Sequence, residues 1–277
     1  MSLQIASLNS GSNGNCYFIG NEDEAILIDA GLSYKETLKR MEQLRLNPEL
    51  LRAVFISHEH TDHISGLGQI QRKLNLPVYI TEKTHFNTSV KLKKEITFSF
   101  NADIFVDIGG LRILPFSKHH DACDPHSFLV SGNGVNVGVI TDVGHACNDV
   151  INCFKQCDVV FLETNYSDEM LDAGNYPEVL KRRIKSKRGH LSNSQALELF
   201  LRHKPRHLQL LILSHLSQHN NSPEQVLELF NQHAGNVKVV VASRHEPSAL
   251  FNVETQNAIS NPPKALSHKP KQLSLFS

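Results

Sequence analysis

Between residues 3 and 241, short apolar runs alternate with stretches in which apolar residues recur at helical spacing. The short runs predict strands over 3–8, 17–19, 25–28, 53–56, 78–80, 111–116, 127–130, 135–140, 159–162, 208–213 and 237–241. Capping boxes mark helix starts. Ser33 is answered by Glu36, Ser192 by Gln195, and Ser222 by Gln225 with Pro223 at the first helical position. The predicted helices span 34–46, 64–75, 145–156, 177–186, 193–203 and 223–234. Two groups of strands with interspersed helices and no internal repeat define an α/β chain. Beyond residue 253 the periodicity stops. Asn261-Pro262-Pro263-Lys264 and Ser267-His268-Lys269-Pro270 are poor in apolar residues, so 254–271 reads as a flexible linker. The expected division is a domain over 1–253 and a tail over 254–277 that ends in the apolar peptide Gln272-Leu273-Ser274-Leu275-Phe276-Ser277.

The 277 residues carry 28 basic and 28 acidic side chains, so overall charge gives no attraction to nucleic acid and leaves only local patches. A chain of this length can bury a substantial core. No apolar run reaches the ~18 residues of a membrane span. The first residues lack the basic start and apolar stretch of a secretion signal. Five cysteines (Cys16, Cys123, Cys147, Cys153, Cys157) are scattered and odd in number, which points to free thiols in a reducing cytoplasm. Cys153 and Cys157 share a predicted helix face, but two thiols do not make a structural zinc site. Histidine is the unusual count: sixteen in all, three of them in one hexapeptide.

That hexapeptide, His58-Glu59-His60-Thr61-Asp62-His63, leaves the predicted strand 53–56 and opens a helix. Imidazole and carboxylate supply N and O donors suited to borderline or hard divalent metals. His58 and His60, two apart in a strand-exit loop, can face one ion, whereas Asp62 and His63 project from the turn into the helix and can serve a second. A surface cluster is the plainer reading, but a buried strand abuts this one. Further donors sit at the ends of other apolar strands: His119, His120 and Asp121 after 111–116, Asp142 after 135–140, and His215 after 208–213. Each alone reads as a polar strand terminus. Strand ends of a layered α/β fold gather at one edge, where they build sites together.

With these residues the chain resembles the metallo-β-lactamase superfamily, whose signature is His-x-His-x-Asp-His followed by a His, an Asp and a final His. The resemblance spans about residues 1–245 and implies a four-layer αββα sandwich with a dinuclear site along one edge. It implies one metal on His58, His60 and His120, a second on Asp62, His63 and His215, and Asp142 bridging both. Spacing alone does not choose between His119 and His120; the His-Asp-Ala-x-Asp-Pro pattern of the closer family selects His120. Asp29, in Leu27-Ile28-Asp29-Ala30-Gly31, matches the superfamily's first acidic motif, which supports the ligand loop through hydrogen bonds. Two divalent ions are implied, with zinc or manganese the first choices for this donor set.

Metals of this kind set the reaction as hydrolysis and leave the substrate open. Three features point to nucleic acid. Lys181, Arg182, Arg183, Lys185, Lys187 and Arg188 place six basic residues within eight, where phosphates reward them through charge pairing and counterion release. The stripe is also readable as a solvated helix face. It runs into Gly189-His190-Leu191-Ser192, and His190 precedes a helix N-terminus that attracts anions. This segment resembles the phosphodiesterase branch of the superfamily, that of the tRNA-processing enzyme RNase Z, in which such a His contacts the scissile phosphate and can protonate the leaving oxygen. Finally, Gln272, Leu273, Leu275 and Phe276 resemble the peptide by which bacterial replication and repair proteins bind the β sliding clamp; tethering raises local concentration without a strong catalytic-domain affinity for DNA.

Within the superfamily the chain is most similar to the YycJ/WalJ-like group, associated with DNA exonuclease activity. The matching segments are Asn9-Ser10-Gly11-Ser12-Asn13-Gly14-Asn15, the stretch from Ile56 to Leu67 around the hexapeptide, His120-Asp121-Ala122, and Gly189-His190-Leu191-Ser192-Asn193. Ser12 and Asn13 would approach phosphate through a small, permissive loop, which reads equally as a tight hairpin. Glu163 and Asn165 are candidates to support the ligands. Glu163-Thr164-Asn165-Tyr166-Ser167 departs from the group's Glu-Ser-Asn-His-Asp, with Tyr166 and Ser167 in place of a His and an Asp. The resemblance implies a cytoplasmic DNA nuclease in replication or repair, with Asp62 orienting the attacking water and His190 assisting the departing oxygen. The alternatives are a thioesterase or lactonase, an RNA-processing nuclease, and a non-catalytic DNA or clamp adaptor.

Overall fold

The structure is a computed structural model that describes residues 2–255 and residue 264. Its inner strands are apolar on both faces because each sheet separates two cores. The first sheet uses β1 (Leu3–Asn9), β2 (Cys16–Gly20), β3 (Ala25–Ile28), β4 (Leu51–Phe55), β5 (Val78–Tyr79) and β6 (Thr97–Phe98). The second uses β7 (Val106–Ile108), β8 (Leu111–Ser117), β9 (His126–Gly132), β10 (Val135–Ile140), β11 (Val159–Glu163), β12 (Leu210–Ser214) and β13 (Lys238–Val241). A last strand, β14 (Phe251–Val253), returns to the edge of the first sheet beside β1. The orders are β14-β1-β2-β3-β4-β5-β6 and β13-β12-β11-β10-β9-β8-β7.

The period-two pattern of each strand sorts its side chains between layers. Leu3 and Ile5 of β1, Val137 of β10, Phe161 of β11 and Ile212 of β12 meet between the sheets. Ala6, Leu8 and Phe18 face the other way, onto Met41 and Ile70 of the helices Tyr34–Gln43 and Leu67–Leu74. Phe116, Leu162 and Leu213 pack on Phe154, Phe200 and Phe230 from three helices on the second sheet. Three cores between four layers make the αββα sandwich expected from the sequence.

β1, β3 and β4 run in one direction in the first sheet. β8, β10, β11 and β12 likewise share a direction in the second. Their carboxyl ends therefore lie at common edges, and the metal-type residues follow those ends.

The capping boxes start helices as expected. Ser192 makes the full reciprocal box with Gln195, while Ser33 and Ser222 accept from the backbone of Glu36 and Gln225. The stretch read as one helix over 64–75 is two, Thr61–Ile64 and Leu67–Leu74. Gly66 separates them, pressed so closely on the Leu32 carbonyl that a Cβ would lie 1.7 Å from its oxygen. The stretch 145–156 is helical only over Asn148–Phe154, and 34–46 stops at Gln43 before Arg45 turns left-handed at φ 57°. Strands β6, β7 and β14 and the helices Glu82–Phe86 and Asp168–Ala173 are additional to the sequence reading. Residues 256–263 and 265–277, and with them most of the 254–271 linker and all of Gln272, Leu273, Leu275 and Phe276, lie outside the described residues. No helix among the described residues is long and apolar enough to cross a membrane.

Candidate metal centre

The donors stand beyond strand ends, Asp62 and His63 on the short helix Thr61–Ile64 that follows one, and three positions at the centre need unusual backbone. Asp29, Asp142 and His215 have φ of 63°, 54° and 56°, the left-handed region that non-glycine residues seldom occupy. Such conformations cost about 1–3 kcal/mol and persist where surrounding structure over-determines them. The surroundings here are tight. Gly31, after Asp29, lies against the Asp62 carbonyl so closely that a Cβ would be 1.8 Å from its oxygen. The Ala30 and Asn15 amides donate to the carbonyls of His63 and Asp62 at 2.8 and 2.7 Å, locking the hexapeptide to the loops after β3 and β1.

The side chains converge as overlapping donor groups. His58, His60 and His120 form one and Asp62, His63 and His215 another, while His58, His63 and Asp142, and Asp142, Glu163, His190 and His215, form two more, with the donor atoms of each within 4.8 Å of one another. Asp142 lies between the first two: its Oδ2 is 3.3 Å from His63 Nε2, and its Oδ1 is 3.8 Å from His120 Nε2 and 3.1 Å from His215 Nδ1. His58 Nε2 and His60 Nδ1 face each other at 3.1 Å. Donors held by one tetrahedral ion at 2.0–2.1 Å are about 3.3 Å apart, so this spacing suits a shared cation. His120 Nε2, His215 Nε2 and Asp142 Oδ2 are buried without a hydrogen-bond partner. Orphaned buried polar atoms are costly, and three aimed into one donor cluster fit a divalent-metal site. A divalent metal there supplies activated water and offsets negative charge on substrate oxygens.

Hydrogen bonds on the far side of the imidazoles select the atoms that face inward. Asp29 accepts from His63 Nδ1 at 2.7 Å and from the Ser57 amide and hydroxyl, both at 2.8 Å. His120 Nδ1 donates to the Gly189 carbonyl at 3.0 Å. Glu163 Oε1 accepts from His215 Nδ1 at 3.1 Å and from His190 Nδ1 at 2.7 Å, while its Oε2 accepts from the Val143 and Leu191 amides. Asn165 donates to the His215 carbonyl at 2.8 Å, and Ser10 Oγ accepts from the His215 amide at 2.8 Å.

Charge in the metal-free site is strongly redistributed. Burial opposes protonation of His215, but Asp142, Asp62 and Glu163 outweigh it and raise its pKa to about 10. His63 is likewise raised well above the usual range, burial being overcome by Asp142, Asp29 and Asp62. Burial would raise Glu163, but His190 and His215 hold it at about 2. Toward the other donor set, burial pushes His120 down to about 4 and His58 well down. The acidic residues thus favour the protonated forms of His63 and His215, while burial favours the neutral forms of His58 and His120.

Other residues singled out by sequence have mixed placements. Ser12, Arg183 and His190 line a pocket of about 220 Å³ beside the centre. Asn13 is turned away, its amide donating to the Arg244 carbonyl at 2.8 Å. In the basic stripe, Lys181 is buried with Nζ on the Asp172 carbonyl, and Lys185 pairs with the Asp172 carboxylate at 2.5 Å. Arg188 donates to the carbonyls of His120 and Ala122, bracing the ligand loop. Arg182 and Lys187 are exposed. Tyr166 is buried, and Ser167 caps the helix Asp168–Ala173, so both serve the fold. Two contributors were not singled out. Asn15 Nδ2 donates to Asp62 Oδ2 at 3.0 Å, a role concealed within the Ser/Gly/Asn loop. Lys118, buried next to the His119-His120 pair, donates to the Thr141 carbonyl at 2.7 Å and ties the end of β8 to that of β10 beside Asp142.

The fold and these donor sets define a metallo-β-lactamase-type metal centre, and the chain belongs to the metallo-beta-lactamase superfamily, whose pattern matches residues 10–162. Its place within the superfamily is with the YycJ/WalJ group. It is 35% identical over 228 residues to the exodeoxyribonuclease YycJ of Bacillus anthracis, covering 81% of this chain and 86% of that protein. It is 32% identical over 227 residues to the exodeoxyribonuclease WalJ of Streptococcus pneumoniae, covering 80% and 84%. The crystal structure of the metallo-beta-lactamase fold protein YhfI from Bacillus subtilis superposes with a TM-score of 0.70 at 17% identity, covering 91% of this chain and all of that one, a likeness of fold.

Proposed function

We propose that the protein is a dinuclear metal-dependent DNA exonuclease. The observation that carries the reading is the Glu163 carboxylate shared by His215 and His190. One acidic residue orients a metal donor and a second imidazole that lines the adjoining pocket. A thioester hydrolase expels a thiolate and has less need of that second imidazole, whereas an alkoxide leaving from phosphorus needs a proton. His190, with Nδ1 held by Glu163, can deliver it from its other nitrogen. Asp62, steadied by Asn15, can accept a hydrogen bond from the attacking water. Similarity to two proteins named exodeoxyribonucleases supports DNA as the substrate. The two donor sets joined by Asp142 support two ions, zinc or manganese by donor chemistry.

The test is a time course on end-labelled DNA and RNA of equal sequence with metal-depleted protein reloaded with zinc or manganese. Progressive release from one DNA end is expected. Hydrolysis of a thioester or lactone with intact DNA would establish the small-molecule reading, and faster loss of RNA the RNA-processing one. A role in replication or repair, tethered to the sliding clamp through Gln272, Leu273, Leu275 and Phe276, is part of the proposal. Truncation after Lys271 should leave hydrolysis of short DNA unchanged and abolish clamp binding; undiminished clamp affinity refutes the tether.

A further inference from the structure

The pocket beside the metal centre has a lining that metal chemistry does not require. His190, Asn165 and Ser12 belong to the centre or its loops, but Tyr176, Leu180 and Ile184 come from the segment after the helix Asp168–Ala173 and belong to none of the donor groups. They give one part of the pocket an aromatic and aliphatic surface. Tyr176 is half-buried, and its ring meets His219 edge to face at 6.3 Å between centroids and 73° between planes. Arg183 stands at the same pocket, its Nε 2.5 Å from Asp121 and its side chain still 61% exposed.

We infer that this pocket receives the unpaired base of the terminal nucleotide and that Tyr176 is its stacking platform. The inference rests on the nuclease reading and adds the subsite. An aromatic ring beside aliphatic side chains suits a π-face of any base, so capture needs no sequence preference. Arg183 is paired with Asp121 through Nε alone among the contacts described and keeps 61% of its side chain exposed, so the rest of its guanidinium, unlike the less exposed Lys185 ammonium, is offered to the adjoining phosphate. Size decides between a base and a base pair. At about 220 Å³ the pocket is smaller than the ~300–1,000 Å³ of drug-sized sites. A single base fits within it and a base pair does not, so a paired end would present its first base by fraying, as bases are extruded for other enzymes. Tyr176 touches the substrate without touching the reacting atoms, so it should govern capture of the end and leave the chemical step alone.

The experiment is steady-state release of the terminal nucleotide by the metal-loaded full chain, comparing wild type, Tyr176→Ala and Tyr176→Phe. Single-stranded DNA is used with either a normal or an abasic terminal nucleotide. Loss of one stacked base corresponds to about a tenfold rise in KM. On the normal end Tyr176→Ala should show that rise with kcat within about twofold, and Tyr176→Phe should restore wild-type KM. On the abasic end wild type should suffer the same rise and Tyr176→Ala none beyond it. Equal KM for Tyr176→Ala and wild type on the normal end overturns the subsite while leaving the nuclease reading intact. So does wild type that degrades the abasic end as well as the normal one. Wild type that releases nothing from DNA overturns both. The abasic comparison needs no variant, so a misfolded Tyr176→Ala protein does not remove the test.

Discussion

Replacing Asp29 with Asn removes one charge and one acceptor at constant volume, and the geometry dictates where the loss falls. Asp29 is fully buried and accepts three hydrogen bonds, Oδ1 from the Ser57 amide and Oδ2 from the Ser57 hydroxyl and His63 Nδ1. The Ser57 amide can only donate, so the Asn oxygen must stay opposite it and the new NH2 must face the other two groups. Ser57 can turn its hydroxyl to accept. His63 can accept at Nδ1 only by moving its proton to Nε2. That nitrogen, 3.4 Å from Asp62 Oδ2 and 3.3 Å from Asp142 Oδ2, is the one that must offer a lone pair to the metal. Loss of such a supporting bond typically costs 10–100-fold in metal affinity. At about 1.4 kcal/mol per tenfold, that is ~1.4–2.8 kcal/mol. The metal-free protein should lose about 1–3 kcal/mol of stability, the cost of a mismatched buried donor. Competitive titration against a metal-binding dye, with thermal melting of the metal-free form, measures both. Metal affinity within twofold of wild type would refute the assignment of Asp29 as the group that sets the His63 tautomer.

Three further predictions follow from the same geometry. Metal loading near neutral pH should release protons, because His63 and His215 are held protonated in the metal-free site and imidazole must be neutral to ligate; affinity therefore falls as pH falls, and heats of binding that do not vary with buffer ionisation enthalpy would contradict this. Arg182→Ala with Lys187→Ala should lower the slope of log affinity for DNA against log salt by about 0.7–0.9 for each phosphate that is no longer neutralised. Lys185→Ala, whose parent side chain is occupied by Asp172, should leave the slope unchanged; a larger effect from Lys185 would reverse the assignment. A thiol reagent should label Cys123 and Cys147 ahead of Cys16, Cys153 and Cys157, which are buried. Burial and then the Glu59 carboxylate raise the Cys123 thiol to about 11, so Glu59→Gln should speed its labelling at pH 8, and unchanged labelling kinetics would remove Glu59 as the cause.

What the sequence made legible follows the physics of burial. Strands enclosed on both faces, such as 25–28 and 135–140, are continuous apolar runs, and the structure returns them as β3 and β10 with the same limits. The elements that escaped are short or made by tertiary pairing. β14 exists because Phe251–Val253 meets β1, and β6 because Thr97 and Phe98 meet β5. At the site, residue type and strand-end position pointed to the candidate donors, since few other arrangements gather so many imidazoles, while the choice of His120 over His119 came from the family resemblance. Backbone strain did not show: nothing in a linear reading marks Asp29, Asp142 and His215 as left-handed. Charge was misleading in the other direction. Lys181 and Lys185 count as basic in any window, but Asp172, nine and thirteen residues earlier, occupies both. Asn15 was similarly hidden, because a Ser/Gly/Asn loop gives no sign of which amide reaches a carboxylate.

The most direct measurement is an anomalous difference map, recorded at the metal edge, from crystals of protein loaded with zinc or manganese. Two peaks about 3.5–4 Å apart are predicted, the separation of paired catalytic ions. One should fall among His58, His60 and His120 and the other among Asp62, His63 and His215, with Asp142 reaching both. A single peak, or peaks confined to histidines outside these sets, would contradict the dinuclear centre on which the proposed chemistry depends.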